Sequence, residues 1–474
     1  MKAAFLATLL TLATAVSAVP QYTKPGKPEK LPPKGFVYPK GRELFIDGKT
    51  FYFGGTNTYY LYYAAKQDID ALFADAKKLN VKVLRTWLFA EAARDYYWDK
   101  SEFSPVTPDT QEIVWFQRFN NNTKKIEYND STHTGLGRFD YVLESAKRHG
   151  IKIIPVFTNN WNNFGGIDWY LQSFNQSGHP VKWHTDFYTY KPVKDAYKNW
   201  VSHVINRKSK ITGKKYKEDP TVFAWELANE PRCMGWGTPW STPEPGLCDS
   251  GKNAKVIINW ADEMSTYIKT LDPHHMVMVG DEGQFNRPNG PGYNMVWDDV
   301  WNGASGVDTE AFLRLKNIDV GTFHSYFDYS WVNDAYKYVE KGNAPGADLD
   351  PIFSNNTATW IKEHAAVGKK VGKPVIFEEI GVEYRVGTPG YNLTTDTRRV
   401  KNMPIFNKLV EDLGLAGSMY WQLNSKWVRS PDGWYNGTDY HAIFAHPVRE
   451  QDKYANIIMG NHNKRMWAKN SKKN

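Results

Sequence analysis

The chain has 474 residues, 41% hydrophobic and 23% charged, the ordinary balance of a soluble globular protein with room for one large domain or two smaller ones. The formal net charge is +8, but part of it sits in terminal residues such as Lys24, Lys27, Lys469 and Lys473, which read as solvated tails. Charge therefore gives no case for nucleic-acid binding, and no basic helix or RNA-binding signature accompanies it. Aromatic residues reach 15%, with 19 Trp; a core accounts for about half of such rings, and the rest suit an open groove where flat rings stack on sugars or bases.

Residues 1–18 carry Lys2, an apolar run and the small-residue site Val16-Ser17-Ala18, the pattern of a secretory signal. The run is too short to span a membrane, and no later segment approaches about 20 apolar residues, so a soluble extracellular protein is expected. Residues 19–36 are Pro- and Lys-rich and read as an extended leader. From about residue 42 onward, short β-rich runs at 51–55, 81–87, 151–157, 221–227, 276–280, 318–324, 374–379 and 416–421 alternate with helical segments. The helices are expected near 68–79, 138–149, 193–208, 255–271, 307–316, 357–371 and 397–413. Alternation on this scale predicts an α/β fold, a (β/α)8 TIM barrel, as a single domain over 37–460 with a basic tail at 461–474. The long connections, 88–137, 158–192, 228–254, 281–306, 325–356 and 422–447, follow strands, where a barrel keeps its functional loops.

Two strand ends carry carboxylates. "WELANEP" places Asn229 and Glu230 after the fourth strand, and "KPVIFEEIG" places Glu378 and Glu379 at the end of the seventh. Strict alternation lets only one of the last two face the barrel mouth. Strands four and seven lie across a barrel from each other, so their exit carboxylates oppose. One protonated and one ionised carboxyl on either side of a bond suit glycoside hydrolysis, with retention or inversion set by their separation.

The motifs "VLRTW", "VFTNNWNNFGGIDWY", "WELANEPRC", "VGDEGQF", "GTFHSYF", "KPVIFEEIG" and "MYWQL" together resemble glycoside hydrolase family 5, and within it the fungal mannanase branch, over about residues 36–430. The resemblance implies Glu230 as acid/base and Glu379 as nucleophile. It implies Asn229 on the sugar 2-hydroxyl, Arg85 beside the nucleophile, Tyr326 holding it and His324 on the acid/base side. Trp421 becomes the floor beneath the sugar. Ile380 stands where the family usually has an aromatic residue. Trp87, Asn160, Trp161, Arg232 and Trp427 are further groove candidates, and Glu282 is a structural or substrate contact.

The two cysteines, Cys233 and Cys248, are expected to bridge the loop that follows Glu230. Sequons occur at Asn121, Asn129, Asn175, Asn355, Asn392 and Asn436. No metal or cofactor motif is present, and no nucleic-acid or membrane partner is expected. The resemblance implies a monomeric secreted hydrolase of β-1,4-mannan, glucomannan or galactomannan. Exo-acting β-mannosidase, transmannosylase and β-glucan hydrolase remain open, because long mouth loops can close a cleft into a pocket.

Overall fold

The computed structural model describes residues 31–91, 112–235, 238–248, 255–287, 299–327, 350–382, 397–425, 441–446 and 450–471. The signal segment, most of the leader, Trp427, and the sequons at Asn392 and Asn436 lie outside them.

Eight parallel strands form the expected barrel: β1 Phe53–Asn57, β2 Val83–Trp87, β3 Lys152–Val156, β4 Ala224–Glu226, β5 Met276–Met278, β6 Gly321–Ser325, β7 Val375–Ile380 and β8 Gly417–Tyr420. They pair in the order β5-β4-β3-β2-β1-β8-β7-β6. A parallel bridge between Met278 and Val320 joins the two edges and closes the ring. Each strand is followed by a helix: α1 Lys66–Lys78, α2 Gly137–His149, α3 Lys191–Asn206, α4 Lys255–Leu271, α5 Thr309–Arg314, α6 Asp350–Val371, α7 Thr397–Leu413 and α8 Glu450–Ala468.

Alternation divides the core in two. Inward residues such as Val83, Ile154, Ala224, Met276 and Ile376 fill the lower barrel. An antiparallel sheet of Val37–Lys40, Glu43–Ile46 and Lys49–Thr50 contributes Val37 and Leu44 to that cluster. Outward residues such as Leu84, Trp225 and Phe377 pack under the helices. Every one of these is nearly or fully buried, so the strands read as continuous apolar runs.

Two local readings change. Helix α8 runs through residue 461, where the sequence suggested the start of a solvated tail. Its His462 ring nitrogen lies 2.7 Å from Ser418 Oγ, and Asn463 Nδ2 donates to Leu79 O at 2.9 Å. The helix was not legible because Tyr454, Ile457 and Trp467 are exposed apolar residues that blur its stripe. The 158–192 connection also holds two helices, Gly166–Gln176 and Asp186–Thr189.

Below the barrel, Asp272 follows α4 and accepts from Trp225 Nε1 at 2.7 Å and from the His274 and His275 amides, with His275 Nδ1 at 2.6 Å. Burial alone would raise its pKa, but these donors and His275 bring it down from 3.8 to about 2. A carboxyl with a lowered folded pKa stabilises fully above its unfolded value and loses that contribution as pH falls through the folded one. Asp272→Asn should therefore cost about 2 kcal/mol at pH 6, with the difference shrinking between pH 4 and pH 2. Chemical denaturation across that range measures it, and a constant difference would show that charge at Asp272 contributes nothing.

Candidate active site

The mouth is built from strand ends. On β2, Val83, Arg85 and Trp87 share the inward face, so Arg85 rises from the apolar floor into the centre. Its guanidinium is fully buried and all five N–H groups find acceptors. Nε and Nη2 clamp both Glu226 oxygens at 2.7 to 3.1 Å. Nη2 also donates to Asn229 Oδ1 at 2.7 Å, and Nη1 to Asn57 Oδ1 at 3.2 Å and to Glu379. The expected pairing of Arg85 with Glu379 is thus one of four.

Both glutamates of β7 face inward, against the expectation that only one would. The cause is a bulge. Phe377 pairs with Phe323 but Glu379 pairs with His324, so Glu378 is skipped. On the other side Phe377 opposes Ser418 and Ile380 opposes Tyr420, three steps against two. The extra residue breaks alternation. Glu378 points into the interior toward Arg85 Nε at 3.7 Å and His324 Nε2 at 3.2 Å, while Glu379 turns to the mouth. Ile380 is buried and packs in the helix-side core, so its departure from the family's aromatic residue leaves the mouth untouched.

Glu230 leaves β4 with a positive φ of 52°, a conformation a non-glycine residue rarely holds. It is held there by its own amide on Gly280 O at 2.8 Å. Oε2 accepts from Trp161 Nε1 at 2.5 Å, and Oε1 meets His324 Nδ1 at 2.7 Å. Tyr326 donates its hydroxyl to Glu379 Oε2. A Cβ on Gly381 would lie 2.3 Å from the Tyr326 ring, so only glycine lets that ring cross the end of β7. A carboxylate oxygen each of Glu230 and Glu379 and a ring nitrogen of His324 come within 4.8 Å of one another. Among the described residues this is the only such cluster. Its atoms are already engaged by Trp161, Tyr326, Arg85 and each other, which makes it a proton-bearing set rather than an open metal cage.

Both ring nitrogens of His324 face carboxyls, an arrangement that suits imidazolium. Burial would lower its pKa, but Glu379, Glu230 and Glu378 raise it well above its ordinary value. Burial pushes Glu230 up; the His324 and Trp161 donors outweigh it and hold Glu230 below its usual value. Burial raises Glu379, with His324, Arg85 and Tyr326 opposing. The proton of the His324–Glu230 bond therefore rests on the imidazole.

The remaining candidates divide. Trp421 is half-buried, stacked 6.1 Å from Tyr59 at an interplanar angle of 11° and 5.6 Å from Trp87. Arg232 Nε and Nη2 reach Glu282 at 2.5 and 2.6 Å, and the guanidinium lies 5.3 Å from the Trp161 ring. Asn160 is fully buried and is not a groove residue. Its Oδ1 accepts from Arg232 N at 2.9 Å and faces His184 Nε2 at 3.0 Å, and its Nδ2 donates to Met234 O. It braces the loop after Glu230, which the Cys233–Cys248 disulfide closes across a separation of 15 residues, a tie worth about 3 kcal/mol in the chain-entropy view.

Sequence reading left Glu226, Glu378, Asn57 and Asn159 without roles. Asn159 Oδ1 accepts from Asn229 Nδ2 at 2.9 Å and so fixes that amide's orientation. Glu226 had a signal: it shares strand parity with Ala224, which faces inward. The exposed sequons among the described residues are Asn121, Asn175 and Asn355, whereas Asn129 spends its side chain on Thr134 and Ser131 in a turn.

Residues 34–440 match the family described as GH family 5 beta-mannosidase-like. The chain is 37% identical over 357 residues to a probable mannan endo-1,4-beta-mannosidase C of Aspergillus terreus, covering 74% of this chain and 73% of that one. It is 32% identical over 416 residues to mannan endo-1,4-beta-mannosidase A of Aspergillus aculeatus, covering 86% and 88%. Among solved structures, the endo-1,4-beta-mannanase from Rhizomucor miehei superposes with a TM-score of 0.71 at 36% identity, over 92% of this chain and 99% of that one. With the family match running over residues 34–440, across every strand of the barrel, the chain belongs to glycoside hydrolase family 5.

Proposed function

We propose that the chain is a secreted endo-acting β-1,4-mannan hydrolase that retains configuration by double displacement. The observation that carries the mechanism is the close approach of Glu230 and Glu379, with oxygens within 4.8 Å. Retaining enzymes hold their carboxyls about 5–5.5 Å apart, and inverting ones leave roughly 6.5–9.5 Å for a water. The similarity to mannan endo-1,4-beta-mannosidases over most of the chain supports the substrate, and the signal-like residues 1–18 support secretion.

Glu379 attacks the anomeric carbon as its bond to the leaving oxygen breaks, and Glu230 supplies that oxygen with a proton. Water then attacks the glycosyl ester, gives its proton to Glu230 and releases Glu379. His324 couples the two carboxyls. Glu379 is foremost among the charges that hold the proton on the imidazole. As Glu379 spends its charge on the new bond, that hold weakens, and the proton crosses the 2.7 Å bond to Glu230 when the leaving group needs it. Asn229 offers its second amide hydrogen to the sugar 2-hydroxyl, and Trp421 with Tyr59 gives the C–H face of the ring an aromatic floor.

The test is the early product profile on linear mannan and reduced mannohexaose. Mid-length oligomers with a fast fall in viscosity are expected. Mannose alone from the non-reducing end would make the enzyme an exo-mannosidase, and intact substrates would end the mannan assignment.

A further inference from the structure

Four carboxyls and two cations share the buried centre. Arg85 faces Glu226, Glu378 and Glu379; His324 faces Glu230, Glu378 and Glu379. Four ionised carboxyls would leave two uncompensated negative charges in a largely buried cluster, a state that proteins avoid by taking up protons. Glu226 and Glu378 are the two that never meet solvent: both are fully buried, and both lie against the Arg85 guanidinium, at 2.7 and 3.7 Å. Glu378 Oε1 finds no N–H or hydroxyl donor among the described residues. A proton held between the two carboxyls is the donor it lacks. We propose that Glu226 and Glu378 form a carboxyl–carboxylate pair holding one shared proton at neutral pH, and that this pair positions Arg85 and, through it, Glu379 and Asn229.

Space and charge around the pair agree. A Cβ at Gly280 would lie 2.2 Å from Glu226 Oε1, so the glycine makes room for the carboxyl while its carbonyl holds the Glu230 amide. The titratable groups facing the pair are Arg85 from β2, His324 from β6 and, from α3, Tyr197, whose hydroxyl is committed to Leu227 O at 2.6 Å. Burial, with Glu378 beside it, pushes Glu226 up to about 8 despite Arg85. With one proton on the pair, Arg85 and the His324 imidazolium face three carboxylates instead of four, and Glu379 keeps the charge that its attack requires.

The inference rests on the proposed double displacement for its catalytic meaning, but its direct test needs no substrate. Infrared difference spectra at pH 7 are taken between wild type and Glu226→Gln, and between wild type and Glu378→Gln. Each substitution is expected to remove one protonated-carboxyl C=O band, because the surviving partner ionises beside Arg85. Loss of carboxylate bands in both variants, or of the acid band in only one, overturns the shared proton. For the positioning role, Glu226→Ala is expected to lose about 100-fold in kcat, the scale of a roughly 1 Å misplacement of a reacting group. Glu226→Gln, which still offers Arg85 an acceptor, should recover at least a tenth of wild-type kcat. Equal kcat for the Ala and Gln variants overturns positioning. If wild type leaves mannan intact, the functional reading fails while the infrared result stands by itself.

Discussion

Glu379→Ala should bind mannohexaose and fail to turn it over, with kcat reduced by roughly ten-thousand-fold, the scale seen when a nucleophile is removed from a concerted set. Arg85, Tyr326 and His324 all converge on this carboxylate. Its removal deletes the group proposed to form the bond and leaves the stacked rings of Trp421 and Tyr59 in place. Glu230→Ala should behave differently. Its kcat on mannohexaose should fall about a thousand-fold, within the range for loss of general acid–base catalysis. An aryl mannoside with a leaving group that needs no proton should still form the glycosyl ester. Added azide should then intercept the ester and yield the β-mannosyl azide. An α-azide would mean direct displacement and would sink retention. More than a tenth of wild-type kcat in Glu379→Ala would remove that residue from the reaction altogether.

The contrast between the two variants depends on which group holds the proton. The imidazolium of His324 keeps Glu230 ionised. In the proposed double displacement Glu230 is therefore an acid only when Glu379 reacts, which ties proton delivery to bond making. A neutral residue at 379 takes away the foremost of the charges that keep His324 protonated. The sequence puts His324 on the acid/base side; the structure shows its ring, from β6, reaching Glu230, Glu378 and Glu379 together.

That difference marks what was legible. Barrel order follows from alternation and spacing, because each strand is a short apolar run bounded by polar turns. Strand ends reveal Glu230 and Glu379 because a carboxylate at the exit of a buried run has few structural uses. Bulges break the period-2 rule, so the second inward glutamate of β7 was invisible, and with it the Arg85-centred network below the mouth. Asn160 misled for the opposite reason. It sits among "NNWNN", where several amides look alike in sequence, and only packing against His184 and Arg232 separates the brace from the groove.

Arg85→Lys should lower kcat about a thousand-fold although it preserves charge. A lysine ammonium offers three donors without a plane, whereas the guanidinium spans Glu226, Asn57, Asn229 and Glu379 at once. At least one buried acceptor is stranded, and stability should fall by about 3 kcal/mol, the lower end for breaking a buried ion pair. The kinetic loss has two routes, through Glu379 and through the amide of Asn229. A 2-deoxy aryl mannoside separates them, since it has no 2-hydroxyl for Asn229 to engage. If both routes operate, the Arg85→Lys penalty should shrink about tenfold on the 2-deoxy substrate, because a charge-state hydrogen bond of about 1.5 kcal/mol is then absent from both enzymes. Asn229→Ala combined with Arg85→Lys should lose less than the sum of the single effects, as residues in one hydrogen-bonded network do. Equal penalties on the two substrates would mean that Arg85 acts through Glu379 alone and that Asn159 suffices to orient Asn229.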